Sequence, residues 1–552
     1  MDMKKEKVRS IYDIIILFSF LITLSISPWV SKDSMIIPKL IILFVLALYL
    51  LPKIIYALPD ILQFSKLKLL VGIITLIIIQ IIIVTIVSTA PFEQQLFGRT
   101  GRGLGIVTSV SLLLVVLGSA IFVRVDKLNI LLIGLVSSCL ITSTYSLFQS
   151  FGIDFLRWTS RTNGVIGTLG NPNFQSSFAA FALIPTLVLF AKVKFKYYGS
   201  FLFGSFLIWV IIRTQSTQGY ISALLALSIF AIIFYWYKYK PVSIMLILLT
   251  FFSGMVAVLS MLNRGPLGNY LYKVSVQSRG DFWRSAFTAS NDHPFFGVGM
   301  DSFGDSYLKY RDEIAISHPW AEYTDNAHNF FLEYAVTAGY PMVVLQVSLI
   351  LLALISYIQA QRRISHFDKD LTAIFAAWLV FQAQSFISPG NISMMVWNAV
   401  LTGTLIGVSE LNSRSIMDLV PVRKQILMKT RISSYSFVFL VLLICYPLFN
   451  TDRQQMQAMK MGDGDLAISS SKRYPESVLR YQVITRELLN SNLPVQALDL
   501  ARSAVEFNPN SANLWALVLI NPSASIEERV KAKAEILKLD PLNKEVINYE
   551  IK

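Results

Sequence analysis

The run of 24 residues from Leu67 to Ala90, LKLLVGIITLIIIQIIIVTIVSTA, contains one charged side chain, that of Lys68. A helix of about 20 apolar residues spans the roughly 30 Å hydrocarbon layer of a bilayer, so this run is long enough to cross it. Only 15% of the 552 residues are charged, against about 25% in soluble domains. The sequence therefore predicts an all-α, polytopic membrane helix bundle.

Apolar runs of this kind recur along the chain and predict about thirteen membrane spans. The first is expected to be retained, because no small-x-small cleavage pattern follows it. Cys139 and Cys445 both fall in apolar runs, where they predict neither a disulfide framework nor a metal site. The spans are expected near 12–28, 36–52, 68–89, 104–122, 129–150, 173–191, 197–212, 218–237, 241–262, 327–358, 370–387, 393–411 and 433–449.

Basic residues in the connections predict the orientation. With the N-terminus in the cytoplasm, the cytoplasmic connections hold 22 Lys and Arg, and the opposite connections hold 12 although they are longer in total. A large extracytoplasmic loop is then expected at about 263–326. The net charge of +14 is largely explained by this topology, and no basic-aromatic motif indicates nucleic-acid binding.

The C-terminal region has a pattern of its own, which divides the chain into a membrane domain at 1–450 and a soluble tail at 451–552. Pro475, Pro509 and Pro541 recur at spacings of 34 and 32 residues, with amphipathic stretches between them. Such a recurrence indicates tetratricopeptide-like helical hairpins. Thirteen spans place the tail outside the cytoplasm, where it offers a surface for a protein partner or serves as a stabilising cap.

Several arginines on the predicted outer face break the positive-inside trend. A guanidinium group can grip a phosphate through two hydrogen bonds, which makes these residues candidates for binding an anion. The alternatives are snorkelling at the interface or pairing with loop carboxylates. The main candidates for anion binding are Arg99, Arg102, Arg161 and Arg213, together with Arg279 in the large loop.

Two asparagines and one histidine stand at predicted span entrances. In GTLGNPNF, Asn171 and Asn173 form a turn, and Asn173 is expected to cap the next span. His328 lies at the start of another span, next to Asn329. An imidazole can accept a proton from a sugar hydroxyl near neutral pH, although a cap or an interface position explains such a histidine equally well. His293 and His318 each precede proline and are expected in turns.

Four segments occur in the order found in the O-antigen ligase and O-antigen polymerase superfamily: GTLGNPNF, TQSTQGYISALLAL, SRGDFWRSAFTASNDHPFFGVGMDSF and AHNFFLEYAVTAGYP. The chain resembles this superfamily, which includes bacterial protein O-oligosaccharyltransferases, from about residue 90 to 410. His328, Asn329 and Gly339 are the most telling part of the resemblance. FGRTGRGLG resembles the upstream segment of members with a repeat-bearing tail.

The resemblance implies a GT-C-like fold and transfer of a glycan from a polyprenyl (undecaprenyl) diphosphate carrier to a hydroxyl acceptor. The reaction would take place on the outer face of the bacterial cytoplasmic membrane, without a metal or another cofactor. His328 matches the catalytic histidine, and Arg279 matches the arginine of the SGRxxxW-like segment, with Trp283 four residues later. The expected partners are the lipid-linked donor, a glycan, lipid or protein acceptor, and membrane lipids.

One position departs from the family pattern, because Gln218 stands where an arginine is often found. Arg213 is close in sequence and could replace it. Three other functions remain open: a polymerase or protein glycosyltransferase of the same superfamily, a transporter of lipid-linked glycans, and a non-catalytic scaffold. A metal-dependent GT-C transferase is a further enzymatic alternative, with candidate ligands Asp154, Asp281, Asp301 and Asp305.

Overall fold

The computed structural model describes residues 11–156, 158, 164–193, 196–261, 274–318, 323–364, 366–410 and 424–551. Within these ranges, the regular elements are helices and no strand occurs. The helices of the membrane domain are α1 (Ile11–Leu24), α2 (Ile37–Ile61), α3 (Ser65–Val87), α4 (Phe92–Phe97), α5 (Ile106–Phe122), α6 (Leu128–Ser150), α7 (Pro172–Phe190), α8 (Lys196–Arg213), α9 (Thr217–Lys238), α10 (Lys240–Met261), α11 (Val274–Asp292), α12 (Phe303–Tyr310), α13 (Glu313–Ser317), α14 (Phe330–Ile364), α15 (Lys369–Gln384) and α16 (Ile392–Glu410).

Each of the thirteen expected spans coincides with a helix, the last with α17 (Lys424–Met461). Among the described residues, eight helices are long and apolar enough to cross a membrane, and three shorter apolar helices accompany them. The predicted polytopic helix bundle is therefore confirmed. The second span differs from its predicted bounds, because α2 continues through Pro52 and Pro59 to Ile61. The predicted span ended at residue 52, but a membrane helix can accommodate a proline such as Pro52.

The centre of the bundle is α16, which is almost fully buried and packs against α5. Buried aromatic side chains there satisfy their polar atoms by hydrogen bonds between helices. Trp397 Nε1 donates to Thr23 Oγ1 at 2.8 Å, and Trp378 Nε1 donates to Thr402 Oγ1 at 3.0 Å. Hydrogen bonds of this kind hold membrane helices together where lipid supplies no hydrophobic driving force.

Helix α14 is broken at Gly339, whose φ of 81° and ψ of 167° are not helical. The turn that follows α11 fills the break. Val298 N donates to Val336 O at 2.8 Å, and Tyr340 N donates to Pro294 O at 2.8 Å. Irregular backbone at a membrane surface requires such internal partners. The break therefore fixes the large loop against the entrance of α14.

The large loop contains α11, α12 and α13 and has a small core of its own. Phe282, Phe303, Tyr307, Ala327 and Val336 form this core. Because Val336 belongs to α14 and Ala327 precedes it, the core joins the loop to the entrance of the span. The loop is thus a packed structure on the mouth of the bundle.

The tail continues directly from α17, which runs through the domain boundary expected at residue 450. Successive short helices pack on one another around a separate apolar core. They are α18 (Gly464–Ser471), α19 (Val478–Asn490), α20 (Pro494–Phe507), α21 (Ala512–Leu519), α22 (Ile526–Leu539) and α23 (Lys544–Ile547).

The tail lies against the side of the bundle that carries the large loop. Arg311, at the end of α12, forms an ion pair with Asp540 at 2.8 Å. Thr100 Oγ1 and Ser477 Oγ are 2.6 Å apart and share a hydrogen bond. The loop, the segment after α4 and the tail therefore meet at one end of the molecule.

Candidate functional site

His328 lies in a tight loop just before α14, with a left-handed backbone conformation at φ 52°. Three hydrogen bonds hold this loop. His328 N donates to Asn326 Oδ1 at 2.8 Å, Thr324 Oγ1 donates to Asn326 O at 2.7 Å, and Ala327 N donates to Glu333 Oε2 at 2.8 Å. A non-glycine residue at positive φ is uncommon and persists only where its surroundings hold it. The loop therefore fixes the position of the His328 side chain.

Asn329 is the residue that starts α14. Its Oδ1 accepts hydrogen bonds from Phe331 N at 3.0 Å and Leu332 N at 3.1 Å. These are backbone donors that a helix N-terminus leaves without intrahelical partners. Phe330 N donates to Ser385 O at 2.8 Å, which ties the same turn to the end of α15. Asn329 thus caps the start of α14 beside His328.

Arg279 and Phe282 face His328 from α11. They are three residues apart and therefore share one side of the helix. The Phe282 ring lies 5.6 Å from the His328 ring, centroid to centroid. Arg279 is only 8% exposed, and no described residue accepts a hydrogen bond from its Nε. Within the described ranges, no carboxylate is paired with this buried cation.

Trp283 follows Phe282 and joins the packing of the loop core. Its indole Nε1 is buried, and none of the described residues accepts its proton. Buried Trp N–H groups usually have a partner. Trp283 therefore carries a buried hydrogen-bond donor about one helical turn after Arg279.

The environment of His328 favours the neutral imidazole. Burial, together with the positive charges of Arg102 and Arg279, lowers the pKa of His328 to about 4, against a smaller opposing effect of Asp325. Its Nδ1 is buried and receives no hydrogen bond from any described residue. At neutral pH the ring is therefore unprotonated and able to accept a proton.

Arg99 and Arg102 lie in a turn that wraps around Asp301. Asp301 Oδ2 accepts from Arg99 N at 2.7 Å and from Leu104 N at 3.2 Å. The two guanidinium groups are themselves paired, Arg99 with Asp305 at 3.3 Å and Arg102 with Asp325 at 2.7 Å. Burial would raise the pKa of Asp325, but the ion pair with Arg102 outweighs it and leaves that pKa below its usual value.

Glycines allow the close approach on which this turn depends. A Cβ at Gly98, where φ is 84°, would lie 2.4 Å from Leu104 N and 2.7 Å from Asp301 Oδ2. A Cβ at Gly304 would lie 2.4 Å from Arg99 Nη1. Gly98 therefore lets the turn close on the Asp301 carboxylate, and Gly304 of α12 leaves room for the Arg99 guanidinium.

Arg213 does not lie beside His328. Arg213 Nη2 donates to Ser150 O at 2.8 Å, and its guanidinium lies 5.9 Å from the Trp209 ring centroid. Arg213 thus faces the end of α6. Arg161 lies outside the described residues.

Hydrogen bonds and a short stretch of backbone link the Asn171–Asn173 turn to the end of α15. Asn171, rather than Asn173, is the cap of α7, and its side chain accepts from Asn173 N. Asn173 Oδ1 instead accepts from Ser216 Oγ at 2.7 Å. Gln218, two residues further, donates to Gln384 Oε1 at 3.0 Å. Gln384 directly precedes Ser385, whose carbonyl accepts from Phe330 N.

The four aspartates of the metal-dependent alternative do not form one set of ligands. Asp154 accepts from Tyr145 OH at 2.6 Å, Asp281 pairs with Arg284 and His318, and Asp301 and Asp305 both contact the Arg99 turn. Among the described residues, no group of three or more His, Cys, Asp or Glu has an arrangement that could hold a metal ion. Each of these carboxylates already accepts hydrogen bonds from protein groups.

Three residues near His328 were noticed in the sequence but given no role. Asn326 and Glu333 accept hydrogen bonds from the backbone of the His328 loop, and Asp325 places a negative charge near His328. All three lie in the DNAHNFFLE stretch that contains His328. Their proximity in sequence was visible. The pairing of Asp325 with Arg102, 223 residues away, was not visible.

The fold and the site together define a multi-pass helical membrane protein. At one end of its bundle, a histidine lies beside a buried arginine that has no carboxylate partner among the described residues. Residues 201–347 match the family model described as O-antigen ligase. These residues are thus similar to the O-antigen ligase family, and the match supports a glycosyl-transfer role. The matched region runs from α8 through the break in α14 and includes Arg279 and His328. No curated protein matches the chain.

Proposed function

We propose that this protein transfers a glycan from a polyprenyl diphosphate carrier to a hydroxyl group of an acceptor. The reaction takes place at the end of the bundle where the loop and the tail meet, which we assign to the outer face of the bacterial cytoplasmic membrane. The excess of basic residues in the opposite connections supports this orientation. No metal or other cofactor enters the proposed reaction.

The observation that carries the proposal is the buried Arg279 beside His328. An arginine that is 8% exposed, with no carboxylate partner among the described residues, is unfavourable until an anion arrives. Burial lowers the pKa of Arg279 from its usual value, but guanidinium groups stay protonated in proteins. A diphosphate supplies the missing negative charge and can accept two hydrogen bonds from one guanidinium.

The chemistry follows from this placement. The bond between the anomeric carbon and the diphosphate oxygen breaks, and the negative charge that develops on the diphosphate is stabilised by Arg279. The acceptor oxygen attacks the anomeric carbon from the opposite face, and His328 takes its proton. The products are an inverted glycoside and the free polyprenyl diphosphate.

The remaining arginines support this step in different ways. Arg102 holds Asp325 beside His328, and its charge helps keep the imidazole neutral. A bound diphosphate would counteract the positive field and raise the pKa of His328, which strengthens it as a base once the donor is in place. Diphosphate contacts by Arg99, Arg161 and Arg213 remain predictions.

The test is transfer in vitro. The purified full chain is given a polyprenyl-diphosphate-linked oligosaccharide and three acceptors, namely lipid A-core, a second lipid-linked repeat and a pilin-like peptide, with and without chelator. The acceptor that is used distinguishes a ligase from a polymerase or a protein O-oligosaccharyltransferase. Chelator-resistant transfer that His328→Ala abolishes supports the proposal.

The matched control is His366→Ala, because His366 follows the opposite end of α14. Equal transfer by the His328→Ala and His366→Ala proteins contradicts the proposed base. Movement of the intact lipid-linked glycan across a bilayer, without transfer, supports the transporter alternative. Loss of transfer with chelator supports the metal-dependent alternative.

A further inference from the structure

A cavity of about 420 Å³ opens where three parts of the molecule meet, away from His328. The end of α3 contributes Ser88 and Thr89, the turn after α11 contributes His293 and the residues that follow it, and the tail contributes Asn508 and Asn510. Ligand sites often occur at such junctions between domains. The reaction proposed above does not use this cavity.

Aromatic side chains form one part of the wall. Phe295 is 64% exposed and Phe296 is 40% exposed, although both belong to a turn that is firmly anchored. Gln80 Nε2 donates to Phe295 O at 2.6 Å, which fixes the backbone of this cavity-lining residue. Tyr310 contributes a third ring, and its hydroxyl lies 3.2 Å from His293 Nε2.

Uncharged hydrogen-bonding groups form the other part of the wall. Asn510 Nδ2 donates to Thr89 O at 3.3 Å and to Thr89 Oγ1 at 3.2 Å, which brings the tail to the rim of the bundle. The lining contains one lysine, Lys309, and two acidic side chains, Asp292 and Asp305. The charges do not favour an anion, so this cavity differs from the diphosphate site at Arg279.

We propose that this cavity binds a neutral oligosaccharide. The apolar C–H face of a pyranose ring packs on exposed aromatic rings such as Phe295, and its hydroxyls pair with amide and hydroxyl groups such as those of Asn510 and Tyr310. This inference rests on the proposed function and names where the glycan lies. The bound sugars belong either to the acceptor or to the distal part of the lipid-linked donor.

Asp305 joins the cavity to the reaction site. Its Oδ1 contacts Arg99 Nη1 at 3.3 Å, while its Oδ2 accepts from Asn508 Nδ2 at 3.0 Å. One carboxylate therefore lies between the arginine turn and the cavity. An oligosaccharide bound here extends toward the centre where the glycosidic bond forms.

The tail completes the cavity, since Asn508, Asn510 and Leu539 line it. The ion pair between Arg311 and Asp540 secures this part of the tail, and its side chains are 15% and 2% exposed. The tail is therefore a part of the glycan site in this inference, in addition to any surface that it offers to a protein.

The test is saturation-transfer NMR on the full chain in lipid nanodiscs, with maltotriose, cellotriose and chitotriose as probes. We expect at least one trisaccharide to receive saturation from the protein and its apparent affinity to fall about tenfold in Phe295→Ala. The control is Phe287→Ala, which removes a similarly exposed ring (55%) that does not line the cavity. Absence of any signal, or equal loss in both variants, overturns the proposal.

The transfer reaction distinguishes the source of the sugars. Phe295→Ala raises the KM for the acceptor if the cavity holds acceptor sugars, and the KM for the donor if it holds the distal donor sugars. Unchanged KM values for both, with active wild-type protein, overturn the glycan subsite but leave the proposed function intact. Trisaccharide binding that persists in a protein without any transferase activity contradicts the proposed function alone.

Discussion

At the scale of single residues, the arginines of the site divide into paired and unpaired groups. Arg99 and Arg102 have carboxylate partners, whereas Arg279 is buried without one among the described residues. The sequence identified all three as candidates but could not separate them. The partners Asp305 and Asp325 lie more than 200 residues away along the chain, so only the fold reveals which arginine has no carboxylate partner among the described residues.

The first prediction concerns Arg279. Arg279→Gln lowers kcat/KM about a hundredfold, the effect of removing one preorganised group that stabilises developing charge. The measurement is the initial rate of glycan transfer at subsaturating donor. Arg284→Gln is the control on the same helix, because Arg284 is exposed and already paired with Asp281 and Asp312. A larger loss in the control contradicts the assignment.

The pH dependence gives a second prediction at this scale. Transfer requires neutral His328, and burial with two nearby arginines lowers the pKa of His328 to about 4, so kcat/KM falls only as the pH drops toward 4. Arg279→Gln removes one repelling charge, raises this pKa and moves the acidic limb upward toward 6.5. An acidic limb that stays in place in the residual activity of Arg279→Gln argues against proximity of the two side chains.

At the scale of elements, the apolar runs predicted the helices well because crossing a bilayer requires about 20 apolar residues. The bounds of α2 were predicted less well, because the predicted span ended at residue 52 whereas the helix continues to Ile61. The break in α14 was not predicted either. Its sequence signals are Gly339 and Pro341, but the partners that make the break tolerable come from the turn at 293–299, which is remote in sequence.

The break gives a third prediction. Gly339→Ala lowers the free energy of unfolding by at least about 2 kcal/mol, because the backbone lies in a region reserved for glycine. A Cβ there would also lie 2.4 Å from the Phe295 carbonyl. The measurement is thermal unfolding in detergent. Gly254→Ala is the control, since a Cβ at Gly254 meets no atom within 4 Å and alanine favours a helix. Equal melting temperatures would contradict the structure of the break.

The turn around Asp301 gives a fourth prediction. Asp301→Ala leaves Arg99 N and Leu104 N without their acceptor and destabilises the protein by about 2 kcal/mol. Asp301→Asn keeps an acceptor oxygen and retains most of the stability. Chemical unfolding of the three proteins measures the difference. If Asp301→Asn is as unstable as Asp301→Ala, the negative charge, rather than the acceptor, is what the turn requires.

At the scale of the whole molecule, loop, arginine turn and tail converge at one end of a membrane bundle. The positive-inside bias predicted this end to be extracytoplasmic, and the odd number of spans placed the tail on the same side as the loop. The packing of the tail onto that loop could not be read from its degenerate repeats, because it depends on isolated pairs such as Arg311–Asp540.

This pair gives a fifth prediction. Arg311→Ala leaves the almost fully buried Asp540 without its partner, which typically costs about 3–5 kcal/mol, and loosens the tail from the loop. Limited proteolysis should then release tail fragments faster than in the wild type. Arg502→Ala, which breaks ion pairs on the exposed surface of the tail, should not. Protection that is unchanged in Arg311→Ala would mean that other contacts hold the tail.

The most direct test of the central claim separates donor binding from transfer. Wild type, His328→Ala and Arg279→Gln are each loaded with polyprenyl-diphosphate-linked glycan in the presence of chelator, and bound donor and single-turnover transfer are measured together. We predict that His328→Ala binds the donor but does not transfer the glycan, whereas Arg279→Gln loses most of the binding. Transfer by His328→Ala at the wild-type rate would contradict the account.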